Sequence, residues 1–339
     1  MDTLTTIAFA REIIDIDSTT GQEDRAGRWI AARLRTMGYH VVEQQLDRGC
    51  ANVLATLDPP EVVLSTHFDC VPPFFPSEVR DGTLYGRGAC DAKGIVAAQV
   101  AAVEQLRVAG ERRVGLLFVA GEERGSDGAA AANELPNTSR FLINGEPTDN
   151  RLAIATRGVL RVRLHATGRA AHSSTPERGI SAIDRLLDAL IQLRSLELPH
   201  DDLLGTTHYN IGLIDGGVAH NVVSPHASAE VLFRTVGDTA LLLARLAALQ
   251  PLVRVEELLH IEAIRMHTVP GFDTAVFPFT TDVPLLDRWG APLLFGPGSI
   301  LVAHTDHEHL PIAELERAVD GYITLARSCL GHSGASPRA

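Results

Sequence analysis

The chain has 339 residues, enough for about two domains at roughly 150 residues each. Hydrophobic residues make up 45% and charged residues 21%, an ordinary globular balance that excludes wholesale disorder and collagen-like structure. A formal net charge of −12 argues against nucleic acid or an anionic membrane surface as a partner. The opening residues start acidic and carry no long apolar core, so no secretory signal is expected. No window approaches the roughly 18 uncharged apolar residues of a membrane-spanning helix. Cys50, Cys70, Cys90 and Cys329 form no C-x-x-C pair, which suits reduced thiols in a cytoplasmic protein.

Residues from about Leu4 to Met37 read as helical, interrupted by a turn near Ser18–Gly21; Trp29, Ile30, Leu34 and Met37 recur at helical spacing, and Gly38 stops the run. Short apolar runs with strand character follow at His40–Val42, Val53–Thr56 and Val62–Ser65, then a Pro- and Phe-rich loop at Val71–Ser77. Gly82–Gly88 reads as a small strand entering a glycine turn. Gly94–Val108, rich in Ala and Val, suits a helix buried against a sheet. Val114–Ala120 is an apolar strand, Gly128–Asn133 a short helix and Phe141–Asn144 a further strand. Strands and helices in this alternation predict an α/β sheet covered by helices.

The pattern changes near Gly158. Val159–Thr167 alternates, with Val and Leu on one side and Arg161, Arg163 and His165 on the other, as a half-exposed strand does. A helix at Ile180–Leu193, strands at Thr207–Leu213 and Ala227–Arg234, a helix at Thr239–Leu249 and a strand at Leu252–Leu258 complete a β-α-β-β-α-β order. That order predicts an α+β ferredoxin-like domain over 158–264, inserted into a larger α/β domain formed by 1–157 and 265–339. After it come Pro292–Phe295, a final helix at Ile312–Leu330 and a tail, Gly331–Ala339, expected to fray.

Polar residues gather where the strands end. Val62–Thr66 runs into His67-Phe-Asp69, Val114–Gly121 into Glu122-Glu123, and Phe141–Gly145 into Glu146. The run near Leu293–Val302, broken by Gly296-Pro-Gly298, leads to His304, and Asp91 stands in the glycine turn before the buried helix. Open α/β sheets bind ligands at the carboxyl ends of their strands. Acids and imidazoles meeting there repel one another unless cations share the space, and two divalent ions would use these ligand types. His and carboxylate donors without cysteine suit zinc, with cobalt or manganese as substitutes. His67 and Asp69 lie on one side of an extended chain, so one can bind while the other orients it. Adjacent Glu122 and Glu123 divide naturally into one ligand and one free base, and a carboxylate such as Asp91 can bridge two ions. Gly86-x-Gly88 lacks the third glycine of a dinucleotide fingerprint, and neither a G-x-S-x-G elbow nor a P-loop is present.

These blocks resemble the dinuclear zinc amidohydrolases and peptidases that include acetylornithine deacetylase, succinyl-diaminopimelate desuccinylase and carboxypeptidase G. The likeness rests on Ser65-Thr-His67-Phe-Asp69-Cys-Val-Pro72, Gly86-Arg-Gly-Ala-Cys-Asp91-Ala-Lys-Gly94, Gly121-Glu-Glu123, Gly145-Glu-Pro147 and Gly296–Ser299 through Ala303-His304-Thr-Asp-His-Glu308. It implies a zinc exopeptidase-like catalytic domain with an inserted lid and dimerisation domain. His67 and Glu146 would hold one metal, Glu123 and His304 the other, and Asp91 would bridge them. Glu122 would be the general base and Asp69 the residue orienting His67. In the inserted domain, Gly168–Gly179 matches the family's histidine loop, so His172 would stabilise the oxyanion, reaching into the partner subunit's site. Asn221 and Arg234 match positions that grip a substrate carboxylate.

The expected reaction is metal-assisted amide hydrolysis with two zinc ions per chain. The expected substrate is a small N-acylated amino acid or dipeptide with a free carboxylate, and the assembly a homodimer. The run Leu294–His304 looks most like the acetylornithine deacetylase branch, which points to N-acetyl-ornithine, -citrulline or -lysine; desuccinylation and carboxypeptidase or dipeptidase activity are the near alternatives. A non-catalytic amino acid or peptide binder on the same fold would be expected to lack a ligand or the base, and this chain keeps them all.

Overall fold

The computed structural model describes residues 1–331; most of the tail expected to fray, residues 332–339, lies outside the described residues. The chain divides into two compact units. One comprises Met1–Ile154, Met266–Ala275 and the residues from Thr281 onward; the other comprises Ala155–Arg265 and Val276–Thr280.

The first unit is built on a six-stranded sheet. Its strands lie in the order His40–Gln45, Ala51–Thr56, Val114–Val119, Val62–His67, Phe141–Asn144 and Ala291–Leu294. The last four run parallel to one another, so their carboxyl ends share one edge. Both faces are covered, which is why these strands read as unbroken apolar runs. Val62, Leu64, Leu116, Phe118 and Ile143 face the larger core, and Val63, Leu117, Val119 and Leu142 face the smaller core with Trp289. The helix Lys93–Val108 is buried on almost every side, against the sheet and the helices Thr3–Ile14 and Ile312–Cys329. A helix apolar all round can lie only in such a place. At its amino end, Thr3–Ile14 is capped by Asp2, which accepts from the Thr5 backbone N–H at 2.8 Å.

Gly145, between Asn144 and Glu146, is demanded by close approach: a Cβ there would overlap Ile95 and Gln99 of the buried helix. The same turn is tied to the neighbouring strand, with Gly145 N donating to Ser65 O at 2.7 Å and Thr66 Oγ1 to Gly145 O at 2.8 Å. Glu146 is therefore delivered to the strand edge by a backbone that cannot shift.

The second unit holds a four-stranded antiparallel sheet ordered His208–Gly216, His226–Thr235, Gly158–Thr167, Arg254–Ile261. With helices Ala182–Arg194 and Thr239–Leu246 on one face, it has the ferredoxin-like order of elements. Leu160, Val162 and Leu164 turn toward the helices, while Arg163 pairs with Glu230 and His165 with Glu256 on the other face.

Some expectations need correction. The apolar run Leu293–Val302 is not one broken strand: the strand ends at Leu294, and residues 300–304 form turns with Leu301 84% exposed. Gly296 and Gly298 break the run, and in the rest of it only Ser299 pairs, in a single antiparallel bridge to Thr148. The helix expected from Ile180 begins at Ala182, because the Ser181 hydroxyl caps it by accepting from Asp184 N. Thr239–Leu249 is α-helical only to Leu246 and finishes as a tighter turn. Short strands at Glu78–Arg80, Leu152–Thr156, Thr274–Phe277 and His309–Pro311 escaped the sequence reading, being too brief to show a period. Among the described residues no helix is long and apolar enough to cross a membrane.

Candidate metal centre

Each parallel strand of the first unit leaves a polar side chain at the shared edge. His67 is the last residue of its strand, Glu122 and Glu123 follow Val119 by a short turn, and Glu146 follows Asn144 by one glycine. Asp91 comes from the loop before Lys93–Val108. His304 comes from the turn after Ala291–Leu294, with a left-handed φ of 64°.

Asp91 lies between the two histidines. Its Oδ1 is 2.9 Å from His67 Nε2, and its Oδ2 is 3.2 Å from His304 Nε2. His304 Nε2 is also 2.9 Å from Glu123 Oε1. Two groups of donors result, His67–Asp91–Glu146 and Asp91–Glu123–His304, each with its ligand atoms within 4.8 Å of one another. Asp91 belongs to both. Glu146 Oε1 is buried without a hydrogen-bond partner, an acceptor that a cation would satisfy. Imidazole nitrogen and carboxylate oxygen are donors that zinc, cobalt and manganese accept, so the residues fit a pair of divalent ions.

Asp69 is fully buried behind this cluster. His67 Nδ1 lies 3.1 Å from the Asp69 backbone carbonyl and 3.5 Å from its carboxylate. That carboxylate accepts from Glu122 N at 3.0 Å, Glu123 N at 3.2 Å and Thr20 Oγ1 at 2.8 Å. One side chain thus backs the histidine and holds the turn that carries both glutamates. Gly121, at φ 83°, lets that turn start in the left-handed region.

The titration behaviour follows from crowding. Burial pushes Glu122 well above the usual carboxylate range, and Asp282, Glu123 and Asp91 add to it against the attraction of His67. Burial does the same to Glu146, with Glu122 and Asp91 adding. Asp91 moves the other way: burial opposes its charge, but His304 and His67 outweigh that and lower it. Asp91 and Glu123 together raise His304 to about 10. Burial works against charge on His67, yet Asp69 and Asp91 hold its pKa well above normal.

Three of the expected site residues lie in the second unit. His172 is exposed on a loop, and its Nδ1 faces Ser174 Oγ at 2.8 Å and accepts from Ser174 N at 3.2 Å, which leaves Nε2 to carry the proton. The neighbouring Ser173 N donates to Asn221 O at 3.0 Å, so the His172 and Asn221 loops are joined. Arg234 is half-buried on its strand; desolvation lowers its pKa, and no acid among the described residues pairs with it. His208, its cross-strand neighbour, accepts at Nδ1 from Arg157 at 2.7 Å.

Two buried acids near the centre escaped the sequence reading. Asp282 follows no strand and has no periodic neighbours; its two oxygens are buried without hydrogen bonds of normal geometry, though the Ser126 hydroxyl is near enough to favour the charged form. Glu308, four residues past His304, was visible in the C-terminal block, but nothing in the sequence says that it faces backbone amides. All four cysteines are buried and unpaired.

Burial raises Asp282 from 3.8 to about 6. A carboxyl raised in the folded state stabilises the fold below its unfolded pKa, and that contribution is lost as pH climbs through the folded pKa. In protein stripped of metal by a chelator, the melting temperature should therefore fall more steeply between pH 4 and pH 6 in the wild type than in Asp282→Asn. Above pH 6 the variant should be the more stable, by on the order of 3 kcal/mol. Parallel melting curves across that range would refute the assignment.

Comparison with known proteins follows the same lines. Residues 63–328 match the family model "Peptidase family M20/M25/M40". A probable carboxypeptidase of Aspergillus clavatus is 37% identical over an alignment covering 96% of this chain and 82% of that one. The aminopeptidase PepT of Bacillus cereus has a similar fold, with TM-score 0.81 at 19% identity, covering 97% of this chain and 99% of that one. A dinuclear metal-binding M20 peptidase of Bacillus subtilis has TM-score 0.75 at 14% identity, covering 97% and 98%. The curated relative is named a carboxypeptidase, and the likeness to the acetylornithine deacetylase branch is not carried further by it. With the family model spanning most of its length, and a fold of catalytic and lid domains shared with solved members, the chain belongs to the M20 peptidase family and is a hydrolase of amide or peptide bonds.

Proposed function

We propose that the protein is a two-metal hydrolase, zinc-dependent in its native form, that releases a C-terminal amino acid from a short peptide or N-acyl amino acid. The observation carrying this reading is Asp91, one oxygen toward His67 and the other toward His304, shared by two complete donor groups. His67 and Glu146 would hold one ion, Glu123 and His304 the other. Bound ions would make a shared water acidic and polarise the amide carbonyl. Glu122, its pKa raised by burial and neighbouring acids, would take the proton of the attacking water and return it to the departing amine. Asp69 keeps Glu122 aimed by holding its backbone N–H.

In the second unit, which we read as the inserted lid over 158–264, His172 would donate from Nε2 to the developing oxyanion. Arg234, unpaired and half-buried, would grip the substrate carboxylate with Asn221 beside it. A carboxypeptidase substrate and an N-acetyl amino acid share one feature: the scissile nitrogen belongs to an amino acid with a free carboxylate. An unpaired cation favours that class over substrates recognised by a free amine. The curated relative's name favours the peptide substrate; the likeness of Leu294–His304 to the deacetylase branch keeps N-acetyl-ornithine, -citrulline and -lysine as the second reading.

Homodimerisation through the second unit is supported by its surface. Leu187 and Ile191 are 50% and 64% exposed along one helix face, and Leu213 and Ile214, each 63% exposed, lie on the sheet's edge strand. Isolated apolar residues are common on surfaces, but a stripe beside an open strand edge suits a self-complementary contact.

Amine release from dipeptides, N-acetyl and N-succinyl amino acids, assayed with zinc or cobalt, should favour dipeptides with a free carboxylate; no turnover on the panel would refute the function. Glu122→Gln should keep about two metal ions per chain by elemental analysis and lose turnover by roughly 10²–10⁴-fold. Arg234→Ala should raise KM for free-carboxylate substrates and leave amidated ones unchanged; equal effects on both would remove the clamp. Ile191→Glu should convert the dimer to monomer in sedimentation, and an unchanged sedimentation coefficient would point to another interface.

A further inference from the structure

Glu308 is fully buried, and among the described residues its carboxylate's hydrogen bonds all come from the segment that carries Asp91. Its Oε1 accepts from three consecutive-loop amides: Gly88 N at 2.9 Å, Cys90 N at 3.0 Å and Asp91 N at 3.0 Å. Its Oε2 accepts from Arg87 Nη1 at 2.6 Å. Its own carbonyl receives Gly86 N at 3.2 Å. Arg87 is in turn held in place, with Nε donating to Pro73 O at 3.1 Å and the guanidinium 5.0 Å above the Phe75 ring. Residues 86–91 therefore wrap around one carboxylate. That carboxylate belongs to the segment bearing His304, and the following strand, His309–Pro311, pairs with Thr83–Tyr85.

A buried acid held by one cation and three amides costs desolvation on both sides, and a well-packed apolar pair would serve folding as well. What the arrangement adds is geometry. Asp91 must present its two oxygens in two directions, toward residues from opposite ends of the chain. The amide of Asp91 itself is one of the three that Glu308 fixes.

We infer that Glu308, with Arg87, is a positioning residue for the metal centre: it clamps residues 86–91 so that Asp91 can serve both ions at once. This rests on the two-metal reading above. Because Asp91 is common to both donor groups, losing the clamp weakens both sites together. A fault in His67 or His304 alone would weaken one.

The experiment is a zinc titration against a chelating chromophore, run on wild type, Glu308→Gln and Glu308→Asp, with cobalt absorption spectra in parallel. Glu308→Gln keeps the side-chain shape and removes the charge that faces Arg87. Glu308→Asp keeps the charge and withdraws it by one carbon from the amides. Leu34→Ala, in the core away from the site, supplies a destabilised control. Wild-type protein that binds no metal would overturn the two-metal reading itself. If wild type binds two ions, both Glu308 variants should bind both more weakly, on the order of 10–100-fold. Their cobalt spectra should change, while Leu34→Ala keeps wild-type affinity despite a lower melting temperature. Wild-type affinity at both sites in either folded Glu308 variant would overturn the inference. So would affinity loss in Leu34→Ala matching theirs, or failure of both Glu308 variants to fold, since Glu308 would then be a residue of stability alone.

Discussion

Carboxylates packed together away from water repel one another and lose hydration, and the centre of this protein is arranged around that difficulty. Asp91, Glu122, Glu123 and Glu146 crowd one strand edge with Asp69 and Asp282 behind them. The histidines offset part of this charge: Asp91, within hydrogen-bond distance of His304 and His67, is pulled down, while burial pushes up Glu122 and Glu146 despite the attraction of His67. The unequal response among chemically similar groups comes from position alone. Asp91 and Asp69 are held low, while Glu122, Glu123 and Glu146 are raised together.

The parallel strands supply the position. Three segments around this edge are held by specific contacts: Gly145 by the buried helix, the Glu122–Glu123 turn by Asp69, the Asp91 loop by Glu308. The clustered acids are thus held through backbone amides more than through their own packing. Precise catalytic geometry is compatible with a polar pocket when the rigidity lies one layer deeper.

Much of this was legible in the residues. Apolar strands ending in His67, Glu122-Glu123 and Glu146 announced the sheet edge, because a buried parallel strand is continuous in sequence and its ligand follows at once. The alternation of Val159–Thr167 likewise announced a sheet covered on one side. His304 was expected at the close of an apolar run and stands instead in a turn well past the end of its strand. Asp282 and Glu308 were not legible as participants. Asp282 owes its position to burial that no local pattern encodes, and Glu308 acts on main-chain groups more than two hundred residues away, which carry no side-chain signature.

Chain order gives the centre a history within each molecule. His67, Asp91 and Glu146 all precede Ala155, where the second unit begins, whereas His304 lies after the chain has returned from it. As the polypeptide emerges from the ribosome, one donor triad is complete before the second unit is made. The other waits for the strand Ala291–Leu294 to join the sheet and for the turn beyond it to fold back. The donors of the two groups are therefore synthesised in sequence, and a nascent chain halted inside the second unit has only the earlier group complete, still without Glu308 to hold the Asp91 loop.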